Sequence, residues 1–248
     1  MAARAIAGGA GVSAARHGAV LELMRFPVKS VEGEALDACA VEARGLRGDR
    51  TWAVCDPDGK LGSGKSSRRF RRMDGLRELA ATYDADVPVL TFPDGRQVRG
   101  DAVEVHAELS RHVGRPVRLQ PETDVQHHDD GPVHLVTTAS LRALGAAHGS
   151  PSVDWRRSRA NLLVDWPGDT YAEDSWVGGR LGVGADLVLE VVMPMPRCVM
   201  VNAPAIDVVP EPRLLHTITE TNDGNLGVLA EVVQPGVVRR GDRLRLLG

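Results

Sequence analysis

Cysteine is scarce: Cys39, Cys55 and Cys198 are the three in a chain of 248 residues. None belongs to a C-x-x-C pair, which excludes a zinc ribbon and a disulfide framework and points to a reducing, cytoplasmic compartment. Charge of one sign is lacking too, the formal net charge being -3. The chain as a whole therefore exerts no pull toward nucleic acid or an anionic membrane. No apolar run is long enough for a signal peptide core or a membrane span. There is no G-x-G-x-x-G dinucleotide fingerprint, no internal repeat, and no low-complexity segment beyond the first 18 residues.

What is present suits a globular enzyme or binding protein. A hydrophobic fraction of 43% over this length fills one large core or two modest ones. Residues 1–18, rich in Gly and Ala, read as a flexible tail; two arginines and no acid also suit a transit peptide. Short apolar runs follow (AVLELMRF, ALDACAVEARGL, TWAVCDPDGKL, VPVLTFPDG, VRGDAVEVHA, PVRLQP), with D-P-D-G and P-D-G turns between them. This spacing predicts antiparallel hairpins. Helical periodicity is expected in FRRMDGLRELAATY, through Phe70, Met73, Leu76 and Ala80, and in TTASLRALGAAHG, ended by Gly149. From residue 160 onward the pattern is strand-like again and reads as the closing strands of a barrel or sandwich. The fold class expected is α+β, mainly β.

The stretch Gly59–Ser66, GKLGSGKS, fits the nucleotide-phosphate pattern G-x-x-x-x-G-K-[ST]. That chemistry needs a strand running into the first glycine and a helix leaving after the lysine. Here Asp56-Pro57-Asp58-Gly59 is hairpin-turn chemistry, so the pattern is expected to be split across two strands. Two readings of residues 63–67 stay open: a loop offering N–H groups, hydroxyls and the Lys65 ammonium to a phosphate, or a solvated basic loop.

Cys198 stands in MPMPRCVMVNAP. Pro194 and Pro196 argue against an interior strand there, because each removes a ladder donor. The thiol is expected where a strand breaks, beside the Arg197 guanidinium that favours thiolate, the ligand that soft metals prefer. An inert buried cysteine is the alternative that local sequence leaves open. Cys39 and Cys55 read as small core residues. His127, His128 and His134 stand near two aspartates, but without the i, i+4 spacing of a helical ligand pair they read as part of a polar loop.

Taken together, PVKSVEG (residues 27–33), GLRGDRTWAV (45–54), SRANLLVD (158–165), YAEDSW (171–176), PRC (196–198) and the closing GVLAEVVQPGVVRRGDRLRLL resemble MOSC-domain proteins, with the amidoxime-reducing molybdenum proteins nearest. The resemblance runs from about Val20 to the C-terminus. It implies a β-rich MOSC N-terminal domain over 19–105, a MOSC β-barrel over 106–248 and a molybdenum-pterin cofactor between them. Cys198 would be the molybdenum ligand and catalytic residue. Lys29, Ser30, Lys65, Asp129, Asp130, Gly131, Arg159, Asn161 and Arg197 would contact the cofactor, the arginines suiting its phosphate. Relatives usually carry arginine at the position of Lys65, proline at that of Ala160, and different residues around Asp130.

The reaction implied is two-electron reduction of an N-hydroxylated or N-oxide substrate. An iron–sulfur cluster commonly takes four cysteines and this chain has three. Electrons are therefore expected from a separate protein carrying flavin, haem or iron–sulfur. The alternative is a cofactor carrier or sulfur-transfer protein with Cys198 as persulfide nucleophile; a phosphate-loop NTPase ranks third.

Overall fold

The computed structural model describes residues 17–124 and 126–247. The expected tail lies outside the described residues, apart from His17 and Gly18, which open the first strand. Seven strands form a closed barrel: β1 (His17–Arg25), β2 (Val133–Thr137), β3 (Leu162–Asp165), β4 (Arg180–Val183), β5 (Leu187–Pro196), β6 (Asn225–Gln234) and β7 (Arg243–Leu247). Their order is β3-β2-β6-β5-β4-β7-β1, and β1 returns to pair with β3. The closing strand is thus the first in the chain.

Among the described residues there are three α-helices: α1 (Val105–Val113), α2 (Thr138–His148) and α3 (Leu214–Asn222). β2 and β3 pair in parallel, with Leu135 opposite Leu162. Parallel neighbours need a crossover, and α2 supplies it. It starts where the Thr137 side chain accepts from the Ser140 N–H and ends at Gly149, as its periodicity predicted. Val20, Leu23, Leu135, Leu162, Leu181, Leu189, Val228 and Leu244 fill the barrel. Burying one such side chain stabilises by about 1.5–3 kcal/mol.

The rest of the N-terminal half is built from small sheets over a second core that includes Val28, Val54, Leu76, Leu90 and Leu109. The expected hairpins are there. Trp52–Cys55 pairs with Leu61–Ser63 across the D-P-D-G turn, and Val87–Thr91 pairs with Gln97–Arg99 across P-D-G. Cys39 and Cys55 are buried. The mainly-β expectation agrees with the architecture.

Two local expectations are corrected. No helix spans 70–83: the segment is a strand (Phe70–Arg72), a short 3-10 helix (Leu76–Glu78) and another strand (Ala80–Asp84). Gly75, at φ 92, breaks the segment in a backbone region closed to most residues. Phe70, Met73 and Leu76 are each buried, by a strand, the connection after it and the 3-10 helix in turn, and their three-residue spacing therefore mimics a helical stripe. The run VRGDAVEVHA is not one strand, since its strand stops at Arg99 and α1 begins at Val105. β5 runs on through Pro194 to Pro196 without being an interior strand there, in line with the expectation for these prolines. Beyond Glu190 it pairs with β6 alone, with irregular register near both prolines, so they occupy an edge where a missing donor costs little.

Candidate cofactor site

A cavity of about 760 Å³ opens between the barrel and the N-terminal sheets. Its wall is assembled from chain reversals: the turn after β1, the loop after Leu61–Ser63, the loop before β2, the turn into β3 and the end of β5. All ten residues singled out from the sequence line it: Lys29, Ser30, Lys65, Asp129, Asp130, Gly131, Arg159, Asn161, Arg197 and Cys198.

The backbone is strained where the site is built. Ser30 (φ 65), Arg50 (φ 53) and Arg159 (φ 53) are non-glycine residues in the left-handed region, and all three line the cavity. Such a conformation costs about 1–3 kcal/mol and persists where its surroundings enforce it. Here the Arg50 N–H donates to the Phe26 carbonyl at 2.6 Å, the Arg159 N–H to the Arg156 carbonyl at 3.0 Å, and the Ser30 hydroxyl to the Gly62 carbonyl at 3.0 Å.

Positive charge gathers on one side. Lys29 is 2% exposed and pairs with Asp129. Burial lowers its pKa to about 8, against the pull of Asp129. Its Nζ lies 4.8 Å from the centroid of the Phe70 ring, and that of Lys65 lies 5.5 Å from it. The Arg50 and Arg159 guanidiniums stack on Phe26 at 4.6 and 4.2 Å. Arg50 also donates to the Arg159 carbonyl at 3.1 Å, and Arg159 donates to the Val31 carbonyl at 2.8 Å. Burial brings the pKa of Arg159, and likewise of Arg197, down to about 10. Arg197 anchors Nη2 on the Ser158 carbonyl at 2.6 Å and leaves Nε and Nη1 buried without a partner.

Cys198 is exposed, just past the end of β5 and at the start of the 3-10 helix Val199–Asn202. This excludes the inert buried thiol that local sequence left open. Nearby, a Cβ on Gly64 would stand 2.1 Å from Met200 Sδ, so glycine there lets the Lys65 loop approach the Cys198 loop. Asn161 reaches the cavity, but its amide is engaged: Oδ1 accepts from the His134 N–H and Nδ2 donates to the Met24 carbonyl, each at 3.2 Å. Asp130 is exposed, while Gly131 sits where a Cβ would come within 2.8 Å of Leu229.

The phosphate-loop pattern is split between two strands, as its turn chemistry indicated. Asp56 caps the turn by accepting from the Asp58 and Lys60 N–H groups at 3.0 and 2.9 Å. No helix follows Lys65; the chain enters the strand Phe70–Arg72 instead. The histidines are not a solvated polar loop, for His127, His128 and His134 are all buried. Burial and the nearby Arg197 hold His134 well below the usual imidazole range. Among the described residues no group of three or more His, Cys, Asp or Glu is arranged to hold a metal ion.

The family model described as the MOSC domain matches residues 122–245, and that described as the MOSC N-terminal beta barrel domain matches 17–119. The chain belongs to the MOSC family. MOSC domains are associated with molybdenum-cofactor binding, and membership supports a function of that kind. The mouse and human proteins named mitochondrial amidoxime-reducing component 1 are each 24% identical over 93% of this chain and 83% of theirs. The solved YUAD protein from Bacillus subtilis has the same fold, with a TM-score of 0.52 and 14% identity over 93% of this chain and 95% of that one.

Two basic residues of the cavity wall escaped the sequence reading. Arg50 lies inside the quoted motif GLRGDRTWAV without being singled out there; its left-handed backbone and its stacking on Phe26 bring it inward. Arg77 was hidden in a segment misread as helix. Neither carries a local sequence signal that separates it from a solvated arginine.

Proposed function

We propose that this MOSC protein holds a molybdenum-pterin cofactor in the cavity and reduces N-hydroxylated or N-oxide compounds. Its electrons would come from a separate redox protein carrying flavin, haem or iron–sulfur. The observation that carries this reading is convergence: Lys29, Lys65, Arg159 and Arg197, from four distant segments, line one cavity with the exposed Cys198.

The residues fit such a group. A doubly charged phosphate needs cations and N–H donors, and Lys29, Arg50, Lys65 and Arg159 supply them from one side. Arg197 keeps two buried donors unpartnered, an arrangement that costs free energy until an acceptor arrives. The Cys198 thiol would be the protein's ligand to the metal, a soft donor suited to it. Bound there, the cofactor would supply two-electron redox chemistry. The chain's own residues neutralise the phosphate and present the thiol, while the Lys29–Asp129 pair fixes the loop before β2 against the turn after β1. Two relatives named for amidoxime reduction support the reductase reading.

Cys39 and Cys55 are buried, which leaves no cysteine set for a cluster and supports an external electron donor. Among the described residues no helix is long and apolar enough to cross a membrane; the cytoplasmic placement rests on cysteine usage alone. The exposure of Cys198 also favours a second reading, a carrier of persulfide sulfur without stable metal. Molybdenum content per chain, measured on protein from a molybdenum-competent host, separates the two. Near one atom per chain, lost in Cys198→Ser with unchanged thermal unfolding, is the expected result. A metal-free wild type with sulfane sulfur on Cys198 would favour the carrier.

A further inference from the structure

Arg77 stands on the short 3-10 helix Leu76–Glu78, outside every segment that carries the family resemblance. Its Nη1 donates to the Met200 carbonyl at 2.8 Å, two residues beyond Cys198. Its Nε lies 3.7 Å from Glu32 Oε1, and the same oxygen lies 3.3 Å from Arg159 Nη1. One buried carboxylate thus ties Arg77 to the cationic side of the cavity. Arg77 Nε and Nη2 are buried without hydrogen-bond partners.

Arg197, next to the thiol in sequence, is laid out alike, with one nitrogen on a carbonyl and two donors without a hydrogen bond, although Arg77 Nε also faces the Glu32 carboxylate. Eight buried side-chain atoms lack a partner among the described residues, and four of them belong to these two arginines. Charge on Cys198 would act on both guanidiniums. An unpaired buried donor costs about 1–3 kcal/mol, so two guanidiniums held this way about one sulfur mark a place for an acceptor.

The acceptor's chemistry follows from the donors. A guanidinium donates and never accepts, so it suits an oxygen without a proton. An N-oxide oxygen is of that kind, whereas the proton of an N-hydroxyl group meets no acceptor on Arg77. The walls beside it are apolar: Met73, Leu76, Phe92, Pro93 and Ile206 line the same cavity, and Ile206, 39% exposed, puts that wall within reach of solvent.

We propose that Arg77 binds the oxygen of an N-oxide substrate with an apolar body beside Cys198, and that the site favours N-oxides over N-hydroxylated compounds. This rests on the reductase reading above. In the balanced reaction one N-oxide takes up two electrons and two protons and yields the parent amine or pyridine and one water. The N–O bond breaks, nitrogen is reduced, the oxygen leaves as that water, and the separate redox protein is oxidised.

The test uses the metal-loaded full chain with reduced methyl viologen as donor, pyridine N-oxide and benzamidoxime as probes, and the variants Arg77→Met and Arg77→Lys. Arg77→Met is expected to raise KM for pyridine N-oxide at least tenfold, while molybdenum content and KM for benzamidoxime stay within twofold; Arg77→Lys should fall between. An equal loss on both probes, no change on either, or a loss of molybdenum overturns the assignment. A loaded wild type that reduces neither probe refutes the reductase reading instead. Arg77 is then decided by calorimetric binding of pyridine N-oxide to the full chain: a tenfold weaker Kd in Arg77→Met supports it, and unchanged or undetectable binding sinks it.

Discussion

Lys29 and Asp129 stand one hundred positions apart and meet as an ion pair at the cavity wall. The pair fastens the turn after the first barrel strand to the loop before the second. Because Lys29 is nearly sealed from water, the fold penalises its charged form and its pKa falls from 10.5 to about 8.

The sign of that shift gives opposite pH dependences for stability and anion binding. A lysine whose folded pKa is depressed costs stability below about pH 8, and the cost is relieved as pH rises toward 10.5; the window is worth roughly 3 kcal/mol. Affinity for a phosphate-bearing ligand should run the other way, falling as pH passes 8 and the ammonium is lost. Phosphate titrations monitored by thermal shift between pH 7 and 9.5 check this. A Lys29→Met variant should show weak binding at every pH, and a wild type whose affinity is flat across the window would refute the assignment.

Asp49 is expected to be a stability residue. It is 0% exposed, accepts from the Phe26 N–H at 2.8 Å, and pairs with Arg50. Burial alone would raise its pKa; Arg50, the Phe26 N–H and the His128 ring 3.7 Å away outweigh burial and hold it at about 2. A carboxylate depressed in this way contributes stability that is complete above pH 3.8 and is lost as pH falls toward 2. Asp49→Asn leaves a guanidinium without its counter-charge and should cost about 3–5 kcal/mol in urea unfolding at pH 7. Acid unfolding of the variant should be shallower between pH 4 and 2. Wild-type stability at neutral pH would show that the pair contributes little.

Much of the fold could be read in advance, because short-range rules and long-range packing agree there. D-P-D-G and P-D-G turn where their chemistry dictates, α2 runs between its threonine cap and Gly149, and the alternating runs became strands. The helix expected over 70–83 failed because its three-residue apolar spacing comes from a strand, the connection through Gly75 and a short 3-10 helix, each burying one residue in turn. Closure of the barrel by β1 is non-local and left no trace in any single segment. At the site, motif residues were legible as letters, but Arg50 and Arg77 become part of it only through backbone strain, stacking and an ion pair with Glu32.

Lys65 gives a direct test of the phosphate-loop coincidence. With no helix after it, the wild type should neither bind nor hydrolyse ATP or GTP. Lys65→Ala should leave thermal unfolding within about 1 °C, since the side chain is exposed, yet reduce cofactor retention several-fold on gel filtration. Nucleotide hydrolysis abolished by this substitution with unaltered metal content would restore the NTPase reading.

Arg157 is expected to control the loop that carries Cys198. Nearly buried at 6% exposure, it donates to the carbonyls of Val201 at 3.2 Å, Ala203 at 3.5 Å and Val209, which clamps the segment between the 3-10 helix after Cys198 and the approach to α3. These carbonyls lie outside regular ladders, so little else satisfies them, and each charge-assisted bond contributes about 1.5–3 kcal/mol. Arg157→Ala should therefore speed amide exchange selectively across residues 199–209 while barrel amides in β2 and β6 stay protected. Cofactor retention should drop with it, because the thiol at the head of that loop loses its fixed position. Uniformly faster exchange throughout the barrel would mean instead that Arg157 supports global stability rather than this one segment.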